Sequence, residues 1–124
     1  MGLQISIRES GDVSILDLRG RSAFDEGDSD LLQSNLERLV ASGVRKVLLN
    51  LAEVIQLDSS GVTAIVKTHL SLHSRGGELK LLHPSGHVME IFGVLHLLKL
   101  IPSFEDEAQA VASFRPLLSY SAKP

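Results

Sequence analysis

The stretch of this chain best equipped for chemistry is Asp58-Ser59-Ser60-Gly61. It follows an apolar stretch, Val47-Leu48-Leu49-Asn50-Leu51 and then Val54-Ile55, and it precedes an amphipathic run that opens at Val62. That position predicts the mouth of a helix, where the first backbone N–H groups lack intrahelical partners and the macrodipole is positive. A phosphate added to a serine there would meet ready donors, so the serine can act as a switch. The same residues also read as an ordinary N-cap supplied by Asp58 or Ser59, and the local pattern leaves both readings open. Gly61 is equally double: its missing side chain would let a partner's backbone approach the serine, or it is a plain turn glycine.

Other reactive types are present without the company they need. His69 and His73 have the i, i+4 spacing of a helical metal pair, but Leu70 stands where a metalloprotease helix carries glutamate, and no third ligand is obvious. They read as partly buried helix histidines, with no metal expected. His83, His87 and His96 fall near predicted strand and helix ends and form no triad pattern with Ser59. Acyl transfer would want Gly-x-Ser-x-Gly, or at least a base and an oxyanion hole, and Asp-Ser-Ser-Gly supplies neither. There is no Gly-x-Gly-x-x-Gly and no phosphate loop with lysine. No cysteine is present, which excludes a thiolate metal site, a disulfide frame and a cysteine nucleophile. The chain is therefore expected not to be an enzyme, and nothing implies a cofactor.

With 124 residues, 44% of them hydrophobic, the chain has the size and apolar content of one domain with a real core. Twelve Lys and Arg against fifteen Asp and Glu leave a net charge of −3, which argues against the basic footprint of a nucleic-acid binder. No apolar run approaches the length of a membrane span, and the N-terminus lacks a basic region followed by an apolar one. A cytoplasmic location with no membrane insertion is expected. Met1-Gly2-Leu3-Gln4-Ile5-Ser6 fits an N-myristoylation pattern, but it also alternates as a strand does, and the strand reading is preferred.

Elements that would position the serines follow from periodicity. Leu3, Ile5 and Ile7 alternate with polar residues, and Val13 to Leu18 forms a second run after Gly11-Asp12, which predicts a β-hairpin. Acidic and capping residues from Asp25 to Asp30 precede Leu32, Leu36, Leu39 and Val40, one face of a helix ending at Gly43. Residues 44–51 read as a central strand with parallel neighbours. Val62, Ile65, Val66, His69, Leu70 and His73 fall at helical spacing, and Gly76-Gly77 stops that helix before the strand Leu79-Lys80-Leu81-Leu82. Pro84-Ser85-Gly86 opens a helix carrying Val88, Ile91, Phe92 and Leu95; Leu98 to Ile101 is predicted as an edge strand confined by Pro102. Glu105 to Phe114 completes the set as a short helix with Ala108, Val111 and Ala112 inward, before a loose tail. The order is β-β-α-β-α-β-α-β-α, an α/β sandwich with a mixed, mostly parallel sheet and helices packed against it.

In that order and spacing the chain resembles the STAS domain family of bacterial anti-sigma factor antagonists and related partner-switching proteins. Four stretches carry the resemblance: Val47-Leu48-Leu49-Asn50-Leu51, Leu57-Asp58-Ser59-Ser60-Gly61, Arg75-Gly76-Gly77-Glu78-Leu79, and Val94-Leu95-His96 through Phe104-Glu105-Asp106-Glu107-Ala108. It covers nearly everything from Ile5 to Phe114, so residues 1–114 are expected to be the STAS domain and residues 115–124 the tail. The resemblance implies that the first serine after the aspartate, Ser59, is the phosphoacceptor, with Ser60 second. Its kinase would be the binding partner itself, a serine-kinase anti-sigma factor, and a PP2C-type phosphatase would reverse the mark. Dephosphorylated, such a protein binds the anti-sigma factor and so controls transcription by releasing the sigma factor.

Partner contact is expected to centre on the loop Ser22, Ala23, Phe24 and Asp25 and on to Asp28, on Asp58, Ser59, Ser60 and Gly61, and on Thr63 and Lys67 of the following helix. Two departures bear on the partner rather than on the fold. Ala23 stands where family members usually carry an aspartate, with Asp25 nearby in a loop that looks one residue longer, and Val62-Thr63 replaces the commoner Leu-Gly. The acidic loop from Asp25 to Asp30 reads either as a partner contact or as a solvated face. A second function stays open: an unphosphorylated STAS scaffold, or a subunit of a signalling complex or lipid-transport ATPase.

Overall fold

The computed structural model of the protein describes residues 3–21, 28–94 and 96–114. β1 (Leu3–Ser10) and β2 (Val13–Arg21) form the expected antiparallel hairpin. Ser10 pairs with Val13, so Gly11 and Asp12 make the turn, and Gly11 takes a φ of +63° that glycine accepts without steric cost. There follow α1 (Asp28–Ala41), β3 (Lys46–Gln56), α2 (Ser59–Ser74), β4 (Glu78–Leu82), α3 (Gly86–Val94), β5 (Ser103–Phe104) and α4 (Glu107–Ser113). The sheet runs β1-β2-β3-β4-β5, and every pairing after the hairpin is parallel. This is the mixed, mostly parallel α/β sandwich expected. The acidic loop at residues 22–27, Leu95 and the tail at 115–124 lie outside the described residues.

β3 is central and buried on both faces, which explains its nearly unbroken apolar run. Val47, Leu49 and Leu51 face a core closed by Leu32 and Leu36 of α1, Ile65 and Leu72 of α2, and Val88 and Phe92 of α3. Leu48 points the other way, joining Val13, Ile15 and Leu82 beneath Ala110 of α4 and the adjacent Phe114. Full burial of each such side chain is worth about 1.5–3 kcal/mol, so this two-sided strand holds both layers to the sheet. The strand runs on past Leu51 to Gln56. Its register against β2 shifts between Asp17 and Arg19, where Asn50 Oδ1 accepts the Ala52 N–H at 3.1 Å and supports the irregularity.

Helices α1 and α2 end in the same way. Gly43 (φ +102°) and Gly76 (φ +79°) adopt left-handed conformations. Val44 N–H then reaches Leu39 O at 3.1 Å and Gly77 N–H reaches Leu72 O at 2.7 Å, the six-residue closure of a Schellman motif. A side chain at Gly77 would strike the Arg45 carbonyl, which accepts the Glu78 N–H at 2.8 Å. The glycine pair thus feeds the chain from α2 into β4 directly beside β3.

Three expectations are corrected. Leu98 to Ile101 is not a strand: Leu97–Lys99 is a 3-10 turn, and the edge strand β5 begins after Pro102. The reason is the hydrogen-bond ladder, in which Leu81 N–H donates to the Pro102 carbonyl at 2.9 Å and His83 N–H to Phe104 O at 2.8 Å, so pairing starts where proline's missing N–H does no harm. On α4, Ala110 is buried and Val111 partly so, whereas Ala108 and Ala112 are exposed. Phe114, packed with Ala110 against Val13, Ile15 and Leu48, fixes the rotation of this short helix. On α2 the inward stripe is Val62, Ala64, Ile65, Thr68 and Leu72, which leaves Leu70 56% exposed and His73 exposed. The small Ala64 and the Thr68 hydroxyl, bonded to Ala64 O at 2.9 Å, fill the buried face instead.

Candidate functional site at the mouth of α2

β3 delivers the chain through buried Leu57 to Asp58, which has extended backbone (φ −85°, ψ 177°) and caps α2. Its Oδ1 accepts the Gly61 N–H at 2.9 Å, and its carbonyl accepts the Val62 N–H at 3.0 Å. Of the two residues that could serve as cap, Asp58 does so. Ser59 is therefore the first helical residue; it is exposed, and its hydroxyl has no hydrogen-bond partner among the described residues. Ser60 is half-buried and Gly61 buried. One of the helix-mouth donors is thus already occupied by a carboxylate.

Beyond Ser59 the outer face of α2 forms a stripe. Thr63 Oγ1 donates to Ser59 O at 2.8 Å, and Thr63, Lys67 and Leu70 are all exposed. At about 100° per residue these positions lie within roughly 80° of Ser59 around the axis, and Lys67 is about 12 Å along it. Of the expected contact residues, the structure places Asp58, Ser59, Ser60 and buried Gly61 at the N-terminal end of α2, and Thr63 and Lys67 on the exposed face that continues from Ser59. Ser22, Ala23, Phe24 and Asp25 lie outside the described residues. Leu70 belongs to the exposed stripe although helical spacing grouped it with Val62, Ile65 and Val66; the small-residue row Ala64-Thr68-Leu72 was the signal that could have shown it.

Elsewhere the polar groups do structural work. His69 is half-buried, its ring stacked on that of His73 with centroids 6.0 Å apart, and burial followed by the neighbouring His73 holds it below the ordinary histidine range. Among the described residues no three His, Asp or Glu side chains could together hold a metal ion. Arg8 of β1 joins Asp17 of β2 (2.6 Å) to Glu107 of α4 (2.6 Å), and Asn50 Nδ2 donates to Asp17 Oδ1 at 2.7 Å. The Arg8 guanidinium holds both carboxyls below their usual range and is itself raised. No described helix is long and apolar enough to cross a membrane.

This architecture has known relatives. Residues 4–110 match the STAS domain family. The chain belongs to the STAS family. BtrV of Bordetella bronchiseptica, named as a candidate anti-sigma factor antagonist, is 27% identical over 98 residues, which span 79% of this chain and 84% of BtrV. A crystal structure from Thermotoga maritima, described in the same terms, superposes with a TM-score of 0.83 at 21% identity, covering 90% of this chain and 95% of that one. The Bacillus cell fate determinant SpoIIAA shares the fold in both forms in which it was solved. Its unphosphorylated form gives a TM-score of 0.70 at 15% identity, with 88% of this chain and 94% of SpoIIAA covered. Its phosphorylated form gives 0.72 at 17% identity, with 88% and 97% covered. Within this STAS domain the serine pair stands where β3 leaves the sheet and α2 begins, at the carboxyl end of the central strand.

Proposed function

We propose that the protein is a phospho-regulated anti-sigma factor antagonist, working by partner switching in the cytoplasm. Dephosphorylated, it binds a serine-kinase anti-sigma factor and so releases a sigma factor; phosphorylated on Ser59, it lets the kinase go, and a PP2C-type phosphatase resets it. In this reading the chain is a kinase substrate and not itself an enzyme. The observation that carries it is the placement of Ser59, exposed and without a hydrogen-bond partner among the described residues, on the helix turn that Asp58 caps. The anti-sigma factor antagonist named among its relatives, and a SpoIIAA that exists in a phosphorylated form, support the same reading.

The chemistry is coherent. A phosphoserine carries about −1.5 to −2 charges at neutral pH, and at a protein interface beside Asp58 the like-charge repulsion and desolvation cost oppose binding. Incubation with ATP, magnesium and an anti-sigma factor kinase from the same genome, followed by mass spectrometry, tests the assignment. Label is expected on the wild type and on Ser60→Ala and absent from Ser59→Ala. Label retained in Ser59→Ala but lost from Ser60→Ala would move the acceptor by one residue, and no label in any form would favour an unphosphorylated scaffold.

A further inference from the structure

The chain carries a net charge of −3, and four of its cations are neutralised within the fold. Arg8 lies against Asp17 and Glu107, Arg19 against Glu53, Lys46 against Asp12 and Lys80 against Glu78. Arg45, Lys67 and Arg75 differ. They line a groove of about 400 Å³ between α1 and α2, and none has a carboxylate at ion-pair distance among the described residues. Glu37, bonded to Gln33 Nε2 at 3.0 Å, is the acidic residue lining it, so three cations face one carboxylate in an acidic protein.

Both guanidinium groups are anchored on one side only. Arg45 Nη1 donates to Val40 O at 3.1 Å and Val44 O at 2.9 Å, and Arg75 Nη1 donates to Ser71 O at 3.0 Å and Ser71 Oγ at 2.6 Å. Their remaining N–H groups are held in place with no acceptor among the described residues, ready for carboxylates. The groove flanks the C-terminal halves of α1 and α2, where the helix dipoles are negative. Those dipole ends oppose any anion and a compact, doubly charged one most, so the attraction must come from the three cationic side chains, which single charges spread along a chain can meet one by one. Lys67 also stands on the exposed stripe that begins at Ser59, with exposed Leu70 beside it, so the groove and the serine share one continuous surface.

We propose that this groove is a second docking point, binding an acidic segment of the same protein partner that engages Ser59. It rests on the partner reading of Ser59, and the contact strengthens association through charge that the serine end does not provide.

A glutamate decamer is the first probe, titrated at low salt into isotopically labelled protein. Saturable amide shifts are expected at Val40, Thr68 and Ser71, lost in Lys67→Glu/Arg75→Glu; absence of saturable shifts, or the same shifts from inorganic phosphate alone, overturns the proposal. Both replaced side chains are exposed, and Arg75→Glu alone, which leaves the Ser59 stripe intact, serves if the double variant unfolds and must reproduce the loss. The second measurement titrates the anti-sigma factor kinase into the wild type and the variant. Affinity should fall at least about tenfold with a shallower salt dependence. A kinase that labels Ser59 but binds the variant unchanged removes the groove and leaves the Ser59 reading standing. A kinase that never labels Ser59 removes that reading, and the decamer titration still decides the groove.

Discussion

The Asp58 carboxylate holds the Gly61 N–H at 2.9 Å, and in doing so it fills one of the donors that a phosphate on Ser59 would otherwise meet. What remains at the helix mouth are the N–H groups of Ser59 and of half-buried Ser60. A phosphoserine therefore gains less here than at an uncapped N-terminus, while standing next to a carboxylate. The balance favours a phosphate that points outward and acts on whatever approaches it.

The cap itself should be measurable. Replacing Asp58 by alanine removes the acceptor of the Gly61 N–H, and loss of an N-cap costs about 1 kcal/mol, which for a domain of this size lowers Tm by roughly 3–6 °C. Asp58→Asn keeps an acceptor oxygen and should recover most of that loss. Thermal melts of the two variants decide it: equal Tm values for Asp58→Ala and wild type would mean the cap contributes nothing to the fold.

Acid should destabilise the protein in two steps of the same sign. His69 lies below the ordinary value of 6.5 because burial, and then His73, penalise its protonated form. The unfolded chain therefore takes up that proton first, and the stability carried by neutral His69, complete above about pH 6.5, is lost as pH falls through its folded pKa. Asp17 and Glu107 lie below their ordinary values of 3.8 and 4.5 because Arg8 hydrogen-bonds both. Their contribution is present above those values and is lost as pH falls further. Urea midpoints followed from neutral to acid pH should show a shallow upper limb, flattened in His69→Gln, and a steeper lower one, reduced in Arg8→Met. A stability that rises on acidification through either window would contradict the assigned directions.

Most of the architecture is legible in the sequence because β3 writes it plainly: a strand buried on both faces leaves an apolar run, and Gly43 and Gly76-Gly77 mark where helices must stop. A helix cap at Asp58 or Ser59 is legible because few residue types satisfy a helix mouth, while the choice of Asp58 is made by the geometry of its carboxylate toward the Gly61 N–H. What escaped depends on partners distant in sequence. The rotation of α2 that turns Leu70 outward comes from packing against α1, and the rotation of α4 from Phe114 seated over Ile15 and Leu48. Periodicity alone cannot tell whether the buried face of α2 extends from Val62 and Ile65 toward His69, Leu70 and His73 or toward Ala64, Thr68 and Leu72, because both continuations have helical spacing. Arg45 and Arg75 gave no local signal, being brought together only when α1 and α2 pack side by side.

Phosphorylation should act on the complex and leave the free protein nearly unchanged. Ser59 is exposed and its hydroxyl has no partner among the described residues, so adding a phosphate breaks no described side-chain bond and gives the sheet no reason to move. Amide shifts on phosphorylation are expected at Asp58, Ser59, Ser60, Gly61 and Thr63, with β3 and β4 silent below Leu51. Ser59→Asp, a partial mimic of the charge, should weaken binding of the kinase by at least about tenfold, or 1.4 kcal/mol. Because the repulsion acts between partly exposed groups, it is screened over about 8–10 Å near physiological ionic strength, and added salt should restore part of the affinity of the phosphorylated form. Calorimetric titrations at two salt concentrations check this. Shifts spread through β3 and β4, together with an affinity that salt does not recover, would show that the phosphate works by rearranging the domain and not by charge at its surface.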